Sequence, residues 1–330
     1  GGPTRRLANG VEMPVVSAGV WQYTPEQAEQ SVRLALDSGF RHIDTAYDYK
    51  NQQGVAKALK AAMANGVSRG SIFVTTKVPG CGGDDDVTGA TPEDCRNDTA
   101  ARIQDDLRLL ELDQIDLLLI HFPPCKGGRQ PGGGTNTSAC FANKTGCSLE
   151  SSCPLVRAQW EEVTQAYDKG LLRAVGVSNY CSKCLECIKG YTPQPMVNQV
   201  HYQVGMGPDP QGFKSLANRS GMVLQSWSPL GMGGKGSTEV MQGNLTTSIA
   251  KKHGKSSVQV ALKWIVSQGA CVSTKSLNAS HMKENLDLFS FELDGDDMRD
   301  LDQARFDDAG EPSFLCRDDA GPSAVEAVVV

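Results

Sequence analysis

Short runs that are apolar at nearly every position alternate along this chain with longer stretches whose apolar residues recur every three or four positions. The short runs are 15–21, 42–46, 72–78, 115–121, 173–179, 196–202, 222–229 and 271–276. A strand that stays apolar on both faces is one covered on both sides, as in a parallel sheet wrapped by helices. The stretches 24–38, 51–64, 92–112, 154–169 and 259–267 carry the helical period. The first of them opens Thr24-Pro25-Glu26, a capping residue followed by proline at the first helical position, and stops at Gly39. Eight strands alternating with helices predict an α/β fold, a (β/α)8 TIM barrel formed by a single domain. An open dinucleotide-binding sheet would carry a glycine fingerprint after its first strand. Here that strand leads into Ala18-Gly19-Val20-Trp21 instead. The glycine run 231–236 follows a late strand and reads as a flexible loop.

One segment breaks the alternation. Residues 122–153, after the fourth barrel strand, are rich in Gly, Ser, Asn, Pro and Cys, and loops of that length are usually functional or disordered. The expected organisation is therefore one barrel over 1–330, with its core at about 15–305, the insertion at 122–153 and a C-terminal loop and tail at 306–330. The insertion follows the C-terminal end of a strand, the face on which barrels build active sites.

Composition narrows the setting. The chain has 330 residues, 39% hydrophobic and 21% charged, which is ordinary for a globular protein with a sizeable core. A net charge of -6 and the lack of any long basic run argue against nucleic acid as a partner. No apolar stretch reaches membrane-spanning length. Eleven cysteines are many for a cytosolic enzyme, and six fall in loop-like positions: Cys81, Cys95, Cys125, Cys140, Cys147 and Cys153. Glycosylation acceptor patterns begin at Asn97, Asn136, Asn143, Asn218, Asn244 and Asn278, where chance gives roughly one or two. Together these predict disulfides, a glycoprotein and a secretory or extracellular location, with the cytoplasm as the alternative. Cys181, Cys184 and Cys187 fall at i, i+3, i+6, a weak hint of metal; with no His nearby they read as bridges or buried thiols, and no metal is expected.

The candidate chemistry lies at strand ends. Asp44, Tyr49, Lys77 and His121 each sit at or just beyond the C-terminal end of an apolar run. Any one of them alone would read as a cap or an ion-pair member; four on one rim point to a catalytic centre.

These residues carry a family resemblance. Asp44-Thr-Ala-Tyr-Asp-Tyr49 with Asn51 resembles the segment of the aldo-keto reductases that supplies a catalytic Asp and Tyr. Lys77 and His121 match the other two members of that family's tetrad. Ala174-Val-Gly-Val-Ser-Asn179, Val197-Asn-Gln-Val200, Ser228-Pro-Leu-Gly231, Thr274-Lys-Ser276 and Glu284-Asn285 resemble its cofactor motifs, in the same order. The resemblance runs from about residue 18 to residue 301. It implies reduction of an aldehyde or ketone, a small-molecule carbonyl substrate, by hydride from NADPH (giving NADP+), with Tyr49 as general acid. Lys77 would stabilise the phenolate and lower the pKa of Tyr49, Asp44 would hold Lys77, and His121 would orient the carbonyl. Ser178, Asn179 and Gln199 would meet the nicotinamide carboxamide, and Trp227 would stack on its ring. Ser228 and Leu230 would line the cofactor's path. Lys275 and Ser276 would hold the 2′-phosphate, with Glu284 and Asn285 at the adenine.

The chain also departs from the pattern. His281 stands where many NADPH-preferring members have Arg, which removes a bidentate fork. Trp21 keeps an aromatic wall in the substrate pocket, but Pro79 and Phe122 stand where tryptophans often occur. The physiological substrate, the reaction direction and the oligomeric state do not follow from the sequence. A second reading, a nicotinamide-binding barrel serving as a binding or structural subunit, is motivated by the cysteine-rich insertion and opposed by the intact tetrad.

Overall fold

A computed structural model describes residues 2–81, 91–124, 153–232, 236–310 and 312. Most of the 122–153 insertion, including Cys125, Cys140, Cys147, Asn136 and Asn143, lies outside these residues, as do 233–235 of the glycine run and the tail from 313.

All eight predicted runs are barrel strands. They are β3 (Val16–Gly19), β4 (His42–Asp44), β5 (Phe73–Val78), β6 (Ile115–Ile120), β7 (Leu172–Ser178), β8 (Val197–His201), β9 (Val223–Trp227) and β10 (Cys271–Thr274). They pair in parallel in chain order, and β10 closes the barrel by pairing with both β9 and β3. The continuous apolar runs have the meaning expected of them: every residue of β5 and of β6 is buried. A short antiparallel hairpin, β1 (Thr4–Arg6) with β2 (Glu12–Pro14), precedes the barrel. Its three-residue strands are too short to leave a readable alternation in the sequence.

The outer helices begin where their sequences say they should. Helix Pro25–Asp37 is opened by Thr24, whose side chain accepts from Gln27 N while the Gln27 side chain accepts from Thr24 N. This helix and helices Gln52–Ala64, Pro92–Leu110, Cys153–Asp168 and Ser257–Ser267 match the five periodic stretches within two residues at each end. Short helices that sequence periodicity did not mark include Phe213–Arg219, Asn244–His253, Ala279–Leu286 and Gly295–Gln303. Gly54 is required where the first two helices cross, because a Cβ there would collide with the backbone of Pro25. Among the described residues no helix is long and apolar enough to cross a membrane.

Disulfides tie the rim of the barrel. Cys81, just past β5, is bonded to Cys95 on helix Pro92–Leu110. Cys153, opening helix Cys153–Asp168, is bonded to Cys187 in the segment after β7. Cys181 and Cys184 are disulfide-bonded as well, so the three closely spaced cysteines are bridge partners and not metal ligands. Cys271 is a free thiol buried in β10.

Candidate active site

The C-terminal ends of β4, β5 and β6 bring the four candidate residues together. Asp44 ends β4, Lys77 lies in β5 and His121 follows β6 directly, its N–H bonded to Val78 O at 2.8 Å. Tyr49 is delivered by the turn Tyr47–Tyr49, which Lys50 ends in the left-handed conformation (φ 55°). Asn51 anchors that turn: its Nδ2 donates to Val20 O at 2.7 Å and Tyr23 O at 2.9 Å, stapling the loop after β4 to the loop after β3.

Lys77 is fully buried, and its ammonium has three protein acceptors. Nζ donates to Asp44 Oδ1 at 2.6 Å, to Thr45 O at 2.9 Å and to Tyr49 OH at 3.3 Å. An ammonium has no lone pair, so the Tyr49 oxygen must be the acceptor. The phenol proton is thereby directed elsewhere, free to be given. Burial alone would lower the Lys77 pKa, but the charges of Asp44 and Tyr49 and the bonds to both hold it above its ordinary value. Asp44 is held in turn by Gln199, whose Nε2 donates to Asp44 Oδ2 at 2.6 Å and to Gln225 Oε1 at 3.0 Å.

The net effect on Tyr49 differs from the sequence expectation. Burial pushes its phenol above the usual range; Lys77 opposes this through charge and hydrogen bond, while Asp44 and Asp48 add to the rise. Desolvation of the phenolate outweighs the one cation, so Tyr49 is a fully protonated donor at neutral pH. Lys77 offsets part of the cost of a buried phenolate without ionising the group at neutral pH.

The predicted cofactor residues continue around the same rim. Ser178 ends β7, and its Oγ donates to Gln199 O at 2.7 Å. Asn179 follows in the left-handed region (φ 61°), with Nδ2 donating to His121 O at 3.0 Å. Trp227 ends β9, and its Nε1 donates to Asn179 Oδ1 at 3.2 Å. His201 stacks against the Trp227 ring with centroids 4.9 Å apart. A half-exposed indole, oriented on one edge and backed on a face, fits the flat nicotinamide ring. Ser228 is next, half-exposed with φ 46°, then half-exposed Leu230.

Among the residues expected at the adenosine, exposed Lys275 reaches back to Trp21 O at 3.0 Å and lies 4.9 Å from the Tyr23 ring centroid. Buried Ser276 accepts from Asn278 N at 3.0 Å. Asn278 caps helix Ala279–Leu286, accepting from Ser280 N and His281 N. On that helix His281 is exposed, Glu284 half-buried and Asn285 buried. A cation at a strand end beside hydroxyl and amide groups is a donor set that fits a phosphate-bearing dinucleotide.

Of the two residues expected in the substrate pocket, Trp21 is 45% exposed and Phe122 has its ring 5.3 Å from that of His121. Pro79 is buried, and its carbonyl accepts from Gln159 Nε2 at 3.1 Å. Gly80 allows the segment after β5 to pass directly against Phe122, since any Cβ would strike that residue's backbone oxygen and ring.

Several participants were not found from the sequence. Gln225 and the carbonyl of Thr45 gave no signal that would mark them. Asp48 was visible as an acid one residue before Tyr49, but its orientation was not; its Oδ2 lies 3.1 Å from His121 Nδ1. Behind the site lies a second buried acid, Asp106. It accepts from Gln52 Nε2 at 2.7 Å and from Thr76 Oγ1 at 3.2 Å. Burial pushes its pKa up to about 8 despite those two bonds.

A closed parallel barrel with a lysine-supported tyrosine on its C-terminal rim, beside a cradle for a phosphate-bearing dinucleotide, defines a nicotinamide-dependent oxidoreductase. Residues 15–305 match the Aldo/keto reductase family, and the chain belongs to that family. It is 32% identical over 312 residues to a glyoxal reductase of Bacillus subtilis, covering 94% of this chain and 95% of that protein. It is 30% identical over 297 residues to a methylglyoxal reductase of Yersinia pestis, with 90% of each chain covered. The crystal structure of a Bombyx mori aldo-keto reductase in complex with NADP superposes with a TM-score of 0.73 at 25% identity, covering 92% of each chain. The protein is thus an oxidoreductase of a family that interconverts carbonyls and alcohols with NADP(H).

Proposed function

We propose that the protein reduces a small aldehyde or ketone to the alcohol, with Tyr49 giving the proton. NADPH, when bound, supplies the hydride. Trp227, Asn179 and Ser178 would hold the nicotinamide, and Lys275 with Ser276 would hold the 2′-phosphate. The substrate carbonyl sits between Tyr49 OH and the His121 ring; the two ring centroids are 5.7 Å apart. As charge grows on the carbonyl oxygen, Tyr49 transfers its proton, and Lys77 at 3.3 Å stabilises the phenolate left behind. Asp44 keeps the ammonium charged and in place; without it Lys77 would be a lone buried cation. The relatives named for glyoxal and methylglyoxal support short, polar dicarbonyl substrates for this chain.

The observation that carries this reading is the single ammonium shared between Asp44 and Tyr49. Its test is Tyr49→Phe. Reduction of an aldehyde panel should fall by roughly a thousandfold or more, while quenching of tryptophan fluorescence by NADPH keeps its midpoint. Retained turnover would remove Tyr49 from this role. The disulfides of the rim, with exposed acceptor asparagines at Asn97, Asn218 and Asn244, support an oxidising, secretory setting and glycosylation.

A further inference from the structure

Gln225 lies in β9, fully buried, and the reduction reading assigns it nothing. Its neighbours give it an orientation. Asp44 carries its charge against the Lys77 ammonium at 2.6 Å, so its second oxygen can only accept. The Gln199 atom that lies 2.6 Å from Asp44 Oδ2 must therefore be the amide nitrogen. That nitrogen has two hydrogens, and the second goes to Gln225 Oε1 at 3.0 Å. With its oxygen so used, Gln225 turns its own nitrogen to Ser17 Oγ at 3.3 Å, and the Ser17 hydroxyl donates on to Val272 O at 3.3 Å. The donations run one way across the barrel interior, from β8 through β9 and β3 to β10, and the charge of Asp44 sets their direction. Both amide hydrogens of Gln199 are thus used inside the barrel. Its Oε1 accepts from no described group, yet it is not sealed in as the amide oxygens of Asn51 and Gln52 are.

Resting on the reduction reading, we infer that Gln225 is a positioning residue for the cofactor: by taking the second Gln199 hydrogen it fixes that amide with Oε1 toward the rim, as the acceptor for the N–H2 of the nicotinamide carboxamide. Gln199 is the parallel partner of Ser178 in the sheet, so it stands among the residues expected at that group. One bond to Asp44 would leave the amide free to pivot about it; two bonds from the same nitrogen hold its plane. Without an acceptor at position 225 one Gln199 N–H would be buried and unpaired, and that penalty drives the side chain out of place. The fixed orientation has a consequence for specificity. An amide oxygen accepts only from a cofactor that brings a hydrogen to it. A carboxamide does so, and a methyl ketone at the same ring position does not.

The test measures binding, by quenching of tryptophan fluorescence, of NADPH and of its analogue with a 3-acetyl group in place of the carboxamide. Wild type should prefer NADPH by about tenfold or more. Gln225→Met keeps the volume without the acceptor; its preference should fall to about threefold or less, through loss of NADPH affinity with the analogue nearly unchanged. Gln225→Glu should keep the wild-type preference, because a neutral carboxylic acid there can accept from Gln199 and donate to Ser17. A variant that merely packs less well would weaken both nucleotides alike. An unchanged ratio in Gln225→Met therefore overturns the inference, as does a wild type with no preference. Should Gln225→Met fail to fold, Ser17→Ala decides: it removes the acceptor behind Gln225, so the ratio should fall severalfold, and an unchanged ratio overturns the inference. A folded wild type that binds neither nucleotide overturns the cofactor reading itself and this inference with it, an outcome distinct from any change in the ratio.

Discussion

Asp106 sets up the sharpest stability prediction. Its carboxyl is fully buried on helix Pro92–Leu110, and among the described residues Gln52 and Thr76 hold it and no cation bonds to it. Its pKa is raised from 3.8 to about 8. Because the folded value lies above the unfolded one, the stability this group contributes is fully present below about pH 4. It is then lost progressively until pH passes about 8. Each unit of difference corresponds to about 1.4 kcal/mol, so between pH 5 and pH 8 the folded state should lose up to about 4 kcal/mol through this one residue. Asp106→Asn removes that loss while keeping the shape. Its carbonyl can still accept from Gln52 Nε2. With the Gln52 amide turned over, its NH2 can instead satisfy Gln52 Oε1, which is buried without a partner. The assay is denaturant unfolding of both proteins under non-reducing conditions at several pH values. Comparing the two cancels the lowered carboxylates elsewhere, such as Asp294, which titrate in acid. The variant should gain on wild type by several kcal/mol as pH rises from 5 to 8. Parallel pH curves would refute the reasoning, since the carboxyl would then be ionising normally in the fold.

Two further predictions concern cofactor choice and setting. Lys275→Ala should weaken NADPH binding by roughly 10- to 100-fold and leave NADH nearly unaffected, because the exposed ammonium, held by Trp21 O and lying beside the Tyr23 ring, can turn to a phosphate. Equal losses for both cofactors in fluorescence titrations would show that Lys275 does not read the 2′-phosphate. Peptide mapping of the native, alkylated chain should recover Cys81 linked to Cys95 and Cys153 linked to Cys187, with glycan on at least one acceptor asparagine. Free thiols at these positions and bare asparagines throughout would defeat the secretory assignment.

What the sequence determined by itself was the barrel and the membership of its rim. Eight apolar runs separated by capped, periodic helices leave few ways to cover both faces of every strand, so local pattern was enough to fix the closed sheet. Asp44, Tyr49, Lys77 and His121 were legible because each is a titratable residue placed at the end of such a run. Only the tertiary structure decided how these groups are wired. Hydrogen bonds between Gln199 and Asp44, Asp48 and His121, or Gln52 and Asp106 join residues 54 to 155 positions apart in the chain. No local period records such pairings. The same holds for the disulfide partners, whose choice depends on which loops the closed barrel brings together. It holds for the acidity of Tyr49 as well, because desolvation and charge oppose one another there and only the folded surroundings say which is larger.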